Sequence, residues 1–270
     1  MQLKANYHSH TVRCGHATGE DEEYVQAGIR AGISIFGFSD HVILPDKTQP
    51  RMRGAPYLLP DYLDSVARLK EKYKDQIEIH TGFECEWYGR RYESYYRDLL
   101  ESGKVEYLIL GQHCFLRDDQ FCWYGNQVDA DQALDDYCDA VIEGMESGLF
   151  LYVCHPDFFM LWYPSWNSHT REVSRRIARK AKELGIPLEV NMGPKSRSAE
   201  LDLNDERIAH YPYPLFWDIV AQEGPDCVIG VDAHLPSIYD EVSDAPFHEF
   251  IKKHHLHRLE TLSFTKKSEK

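Results

Sequence analysis

Short apolar runs recur along this 270-residue chain, and amphipathic helical patterns separate most of them. Seven such runs stand at residues 3–7, 34–38, 77–80 leading into Phe83, 107–110, 151–153, 188–190 and 228–231. Between them, apolar residues repeat at helical spacing. Tyr24, Val25, Gly28 and Ile29 follow Thr18-x-x-Asp21 and stop at Gly32; Leu63, Val66, Leu69 and Tyr73 follow Asp61; Leu134, Cys138, Val141 and Met145 run to Gly148. Val173, Ile177, Ala181 and Leu184 share a face that ends at Gly185, a helix-stop position. Strands that alternate with helices pair in parallel, since each helix is the crossover that returns the chain to the same edge. Seven units over this length suit a closed barrel or a doubly wound sheet. No Gly-, Ser- or Pro-rich linker divides the chain, so residues 1–270 are read as one domain near the upper limit for a single core.

The chain has 14 histidines, and their placement matters more than their number. His8 and His10 follow the first run, with His16 six residues on; His41 follows the second in FGFSDH. His113 lies in LGQH, His155 in VCHPD and His234 in GVDAH, each just past a run. Glu84, Asp40 and Asp232 occupy comparable places. In a parallel barrel the strand C-termini open on one face, so these side chains converge there. In extended chain, residues i and i+2 point the same way, which lets His8/His10 and Asp232/His234 act as chelating pairs. Imidazole with carboxylate suits Zn²⁺, Mn²⁺ or Fe²⁺, and Glu84 is placed to bridge two ions. His248, His254, His255 and His257 crowd a polar segment and are read as solvated surface.

A net charge of −14 disfavours nucleic acid or an anionic membrane as partner. It would also repel an anionic substrate at long range, a field that divalent ions in the site would reverse locally. No apolar stretch is long enough to span a bilayer and MQLKANYHSH has no apolar leader core, so a cytoplasmic protein is expected. Seven cysteines without a CxxC pair do not form a disulfide framework; Cys14, Cys85, Cys114 and Cys154, near the motifs, are read as small buried fillers.

Taken together, HSH, His16, SDH, GFE, GQH, CHPD and DAH resemble the polymerase and histidinol phosphatase (PHP) superfamily, from His8 to His234. Within it, the length, the HSHTVRCGHA opening and GFSDH are similar to stand-alone bacterial histidinol-phosphate phosphatases. The resemblance implies a distorted (β/α)7 barrel with the site at the C-terminal strand ends. It implies up to three divalent ions (Zn, Mn or Fe) and hydrolysis of L-histidinol phosphate. Carried over motif by motif, His8, His10, Glu84 and Asp232 hold one ion. Glu84 bridges to a second, held by His113 and His155, and His16, His41 and His234 hold the third. All nine positions carry the expected type, which argues against a non-catalytic metal-binding module. Asp40 is expected to orient its neighbours from beside the ligands.

For a small-molecule phosphorylated substrate, Glu84, Asp232 and Asp40 are the catalytic candidates, and Arg197 with Lys195, after the sixth run, the phosphate-binding ones. Arg51 and Arg53, in the irregular stretch 44–59, are candidates to close over the substrate. Glu86, Trp87, Tyr88, Tyr124, Trp162 and Tyr163 are candidates to receive an amine and an imidazole. The nearest rival reading is a phosphoesterase of the same superfamily acting on nucleotides, phosphodiesters or phosphotyrosine, with every metal ligand shared. A rival of another class is a barrel amidohydrolase; such enzymes use a bridging, often carboxylated lysine where Glu84 stands here. The sequence leaves the oligomeric state open.

Overall fold

The computed structural model describes residues 3–163, 165–191, 193, 210–241 and 245–264. Its first four strands, β1 (Ala5–Asn6), β2 (Ile35–Phe38), β3 (Glu78–Cys85) and β4 (Tyr107–Leu110), lie side by side in chain order, all parallel. An antiparallel hairpin follows, β5 (Cys114–Arg117) and β6 (Gln120–Trp123). Val153 then bridges Leu110 on one side and Leu188 on the other, carrying the sheet to β7 (Leu188–Asn191) and β8 (Asp226–Gly230). Ser9 bridges Ala233, and the His10 amide donates to the Ala233 carbonyl at 2.9 Å, so the exit of β8 meets the exit of β1. The seven segments close into a distorted barrel, as expected. The run at 151–153 contributes a single bridging residue rather than a full strand, because left-handed His155 (φ 33°) and Pro156 turn the chain away at once.

Helices α1 (Asp21–Arg30), α2 (Leu59–Tyr73), α3 (Glu93–Glu101), α4 (Ala130–Glu146), α5 (Ser168–Leu184), α6 (Pro214–Glu223) and α7 (Ala245–Lys253) include the four expected patterns. Capping sets their ends. On α5, Asn167 accepts from the amides of His169 and Thr170, and Gly185 (φ 63°) stops the helix in the left-handed region that glycine tolerates. On α1 the cap is Glu20 with Glu23, not Thr18, since left-handed Gly19 (φ 89°) delays the helix start.

Strand periodicity splits the core in two. Phe36, Phe38, Phe83, Leu108, Leu110, Leu188, Val190 and Ile229 pack among the helices. Ala5, Tyr7, Tyr107, Ile109, Tyr152, Cys154 and Val228 form a separate interior cluster, covered by Leu259, Leu262 and Phe264. The covering segment is anchored by β9 (His257–Arg258), which adds in parallel to the start of β8, and by the Leu262 amide donating to the Tyr7 hydroxyl at 2.9 Å. One expectation for this region fails: His254 is buried, 2.7 Å from Asp218, because its ring packs on Phe250. No helix among the described residues is long and apolar enough to cross a membrane.

Candidate metal centre

Period-2 alternation, continued past the strand ends, aims one residue set upward into the barrel. On β2 this set is Ile35, Gly37, Ser39 and His41; on β3 His80, Gly82, Glu84 and Glu86; on β4 Tyr107, Ile109, Gly111 and His113. Glycine in the middle of these ladders makes room. A methyl group at Gly82 would enter the Tyr107 ring, and one at Gly111 would overlap Glu84 Oε1. A bulky floor and a buried carboxylate therefore fit in one narrow interior.

Glu84 is the hub. Its Oε1 lies 2.7 Å from His155 Nε2 and 3.5 Å from His113 Nε2. Its Oε2 lies 2.9 Å from His41 Nδ1, 3.5 Å from His10 Nε2 and 3.7 Å from His8 Nε2. Asp232 Oδ1 is 3.0 Å from His10 Nε2 and 3.5 Å from His8 Nε2. His234 Nε2 meets His16 Nε2 at 2.8 Å, while the His10 ring stacks on His234 and lies 4.5 Å from His41. All nine expected ligands thus come together. His10 sits between the first and third expected groups, close to members of both.

The donors fit divalent ions. Ligand atoms roughly 2.0–2.2 Å from one ion stand roughly 3–3.5 Å from each other, which is the spacing found here. Glu84 Oε2 and His41 Nδ1 are 2.9 Å apart, yet neither has a hydrogen-bonding partner, and His10 Nδ1 and His155 Nδ1 are likewise buried without one. Atoms that crowd a point without bonding one another are what a ligand sphere leaves. Burial drives the His41 proton off, to a pKa of about 3. Burial also works against a proton on His8, but Glu189, then Asp232 and Glu84, overcome it and hold His8 well above the usual imidazole value. Burial would raise Glu84, yet His41, His113 and His8 hold it well below the usual carboxylate range.

The surrounding groups orient these ligands. Asp40 accepts from the Thr11 hydroxyl and from the His41 amide, which holds the backbone at His41, and its Oδ1 stands 3.5 Å from His10 Nδ1. Glu86 is fully buried, with Oε1 3.2 Å from His113 Nδ1 and Oε2 accepting from Arg53 Nη2 at 2.8 Å. Burial would raise Glu86 as well, but Arg53 and His113 pull it down to about 2. Arg53 is thus the buried counter-charge of a positioning residue rather than a substrate clamp, and Arg51 is exposed. The pair also ties the 44–59 stretch down, helped by Tyr95 donating to the Ile43 carbonyl and Lys47 pairing with Asp119.

Other expectations change. Glu86 is spent on Arg53 and His113. Trp87, Tyr124 and Tyr163 are buried; Trp87 donates to Glu143, and Trp162 stacks on Tyr124. They pack the structure rather than line a pocket. The aromatic rings beside the centre are instead Trp123, 38% exposed and 6.5 Å from the His113 ring, and Phe158, 5.1 Å from it. Trp123 reaches this position because the hairpin follows His113 directly. Cys14 and Cys154 are buried close to the ligands, and the Cys154 thiol donates to Glu84 at 3.4 Å. Arg197 and Lys195 lie outside the described residues. Sequence reasoning missed Glu189, a wholly buried carboxylate on β7 bonded to His8. Its signal was a lone acid inside the apolar strand Leu188–Asn191.

Comparison with known proteins agrees with this fold. A probable histidinol-phosphatase of Deinococcus radiodurans is 27% identical over 240 residues, 85% of each chain. The crystal structure of histidinol phosphate phosphatase from Lactococcus lactis, complexed with zinc, L-histidinol and phosphate, superposes with a TM-score of 0.72 at 19% identity, covering 98% of both chains. That of the putative histidinol phosphatase from Listeria monocytogenes gives 0.67 at 19% identity, covering 91% of this chain and 99% of the other. The PHP domain model matches residues 6–193, which hold seven of the nine converging residues and every barrel segment before β8; the chain belongs to the PHP family.

Proposed function

We propose that this chain is a metal-dependent phosphatase that hydrolyses L-histidinol phosphate to L-histidinol and inorganic phosphate. The observation that carries the reading is Glu84, one buried carboxylate within 3.7 Å of five imidazoles from four separate segments. Such a hub suits a multinuclear centre, in which His8, His10, Glu84 and Asp232, then His113 and His155, then His16, His41 and His234 hold divalent ions. Ions bound there would neutralise phosphoryl oxygens and lower the pKa of coordinated water toward 7.

The chain's own residues set up the rest. Glu84 and Asp232 offset part of the ionic charge, leaving a local surplus that draws a phosphate dianion into an otherwise acidic protein. Glu86 fixes the ring of His113, and Asp40 holds the backbone at His41 beside the His10 ring. Trp123 and Phe158 stand on the open side of His113, where the organic half of the substrate would lie, and their rings suit a planar, cationic imidazole. The histidinol phosphatases among the relatives support the choice of substrate.

The test is phosphate release from L-histidinol phosphate beside phosphotyrosine, a nucleoside monophosphate and p-nitrophenyl phosphate. The expected result is a kcat/KM for histidinol phosphate about a thousandfold above the others, roughly 4 kcal/mol of discrimination. A chelator should abolish it, and Zn²⁺ or Mn²⁺ should restore it. Equal, weak rates on all four would sink the substrate and leave a metal-dependent phosphatase.

A further inference from the structure

Glu189 has no exposed surface, and among the described residues no lysine or arginine pairs with it. It is nonetheless surrounded by donors. Oε1 lies 2.9 Å from His8 Nδ1 and accepts from the Tyr152 hydroxyl at 3.3 Å. Oε2 accepts from the His155 backbone amide at 3.0 Å and from Asn191 Nδ2 at 2.7 Å. Space for the carboxylate is reserved, since a methyl group at Gly230 on the neighbouring strand would overlap Oε1. A buried carboxylate is costly unless its oxygens are satisfied and its charge is answered. The four donors satisfy the oxygens, and the charge is answered by what His8 and His155 hold.

These two contacts differ in kind. His8 presents its other nitrogen, Nε2, to Asp232 and Glu84. An acceptor at Nδ1 keeps the proton there and leaves the Nε2 lone pair for a ligand bond. His155 is bound through its main chain, at a residue with φ 33°, in the left-handed region that side-chain-bearing residues rarely adopt. That conformation delivers His155 Nε2 to the opposite oxygen of Glu84. We infer that Glu189 is a positioning residue for two metal positions at once, setting the tautomer of His8 and the backbone turn that aims His155. This rests on the reading of the nine residues as metal ligands.

The chemistry makes the role testable, because only an acceptor on both oxygens fits. Glutamine at 189 must turn its NH₂ either toward the His155 amide and Asn191, donor against donor, or toward His8. In the second case Nδ1 must accept, so the proton moves to Nε2 and blocks the ligand atom. The experiment compares wild type with Glu189→Gln for zinc affinity, by competition with a chromophoric chelator, and for the ligand-field spectrum of the Co²⁺-loaded protein. Melting of each metal-free protein is measured alongside. The expected result is a 10–100-fold loss of affinity at one or two positions, an altered Co²⁺ spectrum, and metal-free melting within a few degrees of wild type. Excess metal should restore part of kcat.

Wild-type affinity and spectrum in Glu189→Gln would overturn the proposal. Should that variant not fold, Asn191→Ala decides, since it keeps the carboxylate but frees Oε2 from its side-chain donor. A several-fold weaker zinc complex supports the role and an unchanged one overturns it. If wild type itself binds neither zinc nor cobalt, it is the metal-centre reading that fails.

Discussion

At the lower end of the barrel, Tyr7, Tyr107, Tyr152, Ile109 and Val228 fill the interior under the cover of Leu259, Leu262 and Phe264. At the upper end the same segments deliver His8, His113, His155, Glu84 and Asp232. Polar atoms are treated differently in the two places. Below, the Tyr107 hydroxyl donates to the carbonyls of Tyr7 and Phe38 at 2.8 and 3.0 Å. Above, Glu84 Oε2, His10 Nδ1, His41 Nδ1 and His155 Nδ1 are buried without hydrogen-bonding partners, and His155 and Asp232 hold left-handed backbone. Unmet polar groups and strained dihedrals each cost on the order of 1–3 kcal/mol. The comparison teaches that the floor contributes the stability and the rim consumes it, in exchange for a preformed ligand set.

The sharpest break in that comparison is Glu84→Ala. Removing the hub should lower kcat/KM about ten-thousandfold, roughly 5.5 kcal/mol, and reduce metal content in plasma emission analysis. Metal-free melting should move less than in the next variant. Turnover and metal content at wild-type levels would end the assignment of Glu84.

Glu86→Gln attacks the support beneath the rim. It strands Arg53, whose side chain is fully buried, without its counter-charge, and breaking such a pair costs about 3–5 kcal/mol in urea unfolding. The double variant Arg53→Met with Glu86→Leu should regain much of that stability but not the His113 alignment. A double variant as unstable as the single one would mean the pair is not the cause.

The smallest effect belongs to the floor. Burial would raise the pKa of Glu106, but bonds from His80, Lys70 and the Thr81 amide overcome it and hold the group at about 2. A carboxylate depressed in the folded state contributes stability above its ordinary value near 4.5 and loses it as pH falls toward 2. With the side chain 28% exposed and open to screening, roughly 1 kcal/mol is expected. Glu106→Gln should flatten the stability profile of the metal-free protein between those pH values and leave zinc affinity untouched. A fall in zinc affinity would show that the two ends are coupled.

The rim was legible in the sequence because its logic is local. A histidine or acid just past an apolar run is placed by the strand's own alternation, so His8, His10, His41, His113 and His234 were found with their neighbours unknown. What was missed depends on distant partners. Glu189 stands unremarked inside an apolar run until Asn191, Tyr152 and the His155 amide surround it, and Arg53 reads as a candidate to close over the substrate until Glu86 is beside it. The hairpin carried a usable signal that was not taken up. Asp118 and Asp119, both with positive φ, form a two-residue turn of a kind Asp tolerates, and reading it would have placed Trp123 beside His113.

The covering segment also has a consequence for when the protein can begin to work. Leu262 bonds to Tyr7 across 255 residues, and His8 meets Asp232 only where the first and last barrel segments join. At roughly 5–20 residues per second on the ribosome, the first strand waits on the order of 10–50 s for the partners that complete its floor. During that interval His8 and His10 have a chelating pair's spacing but lack Asp232, so full metal acquisition waits for the segment after β8. A nascent chain stalled before residue 226 should therefore hold zinc more weakly than the released protein does.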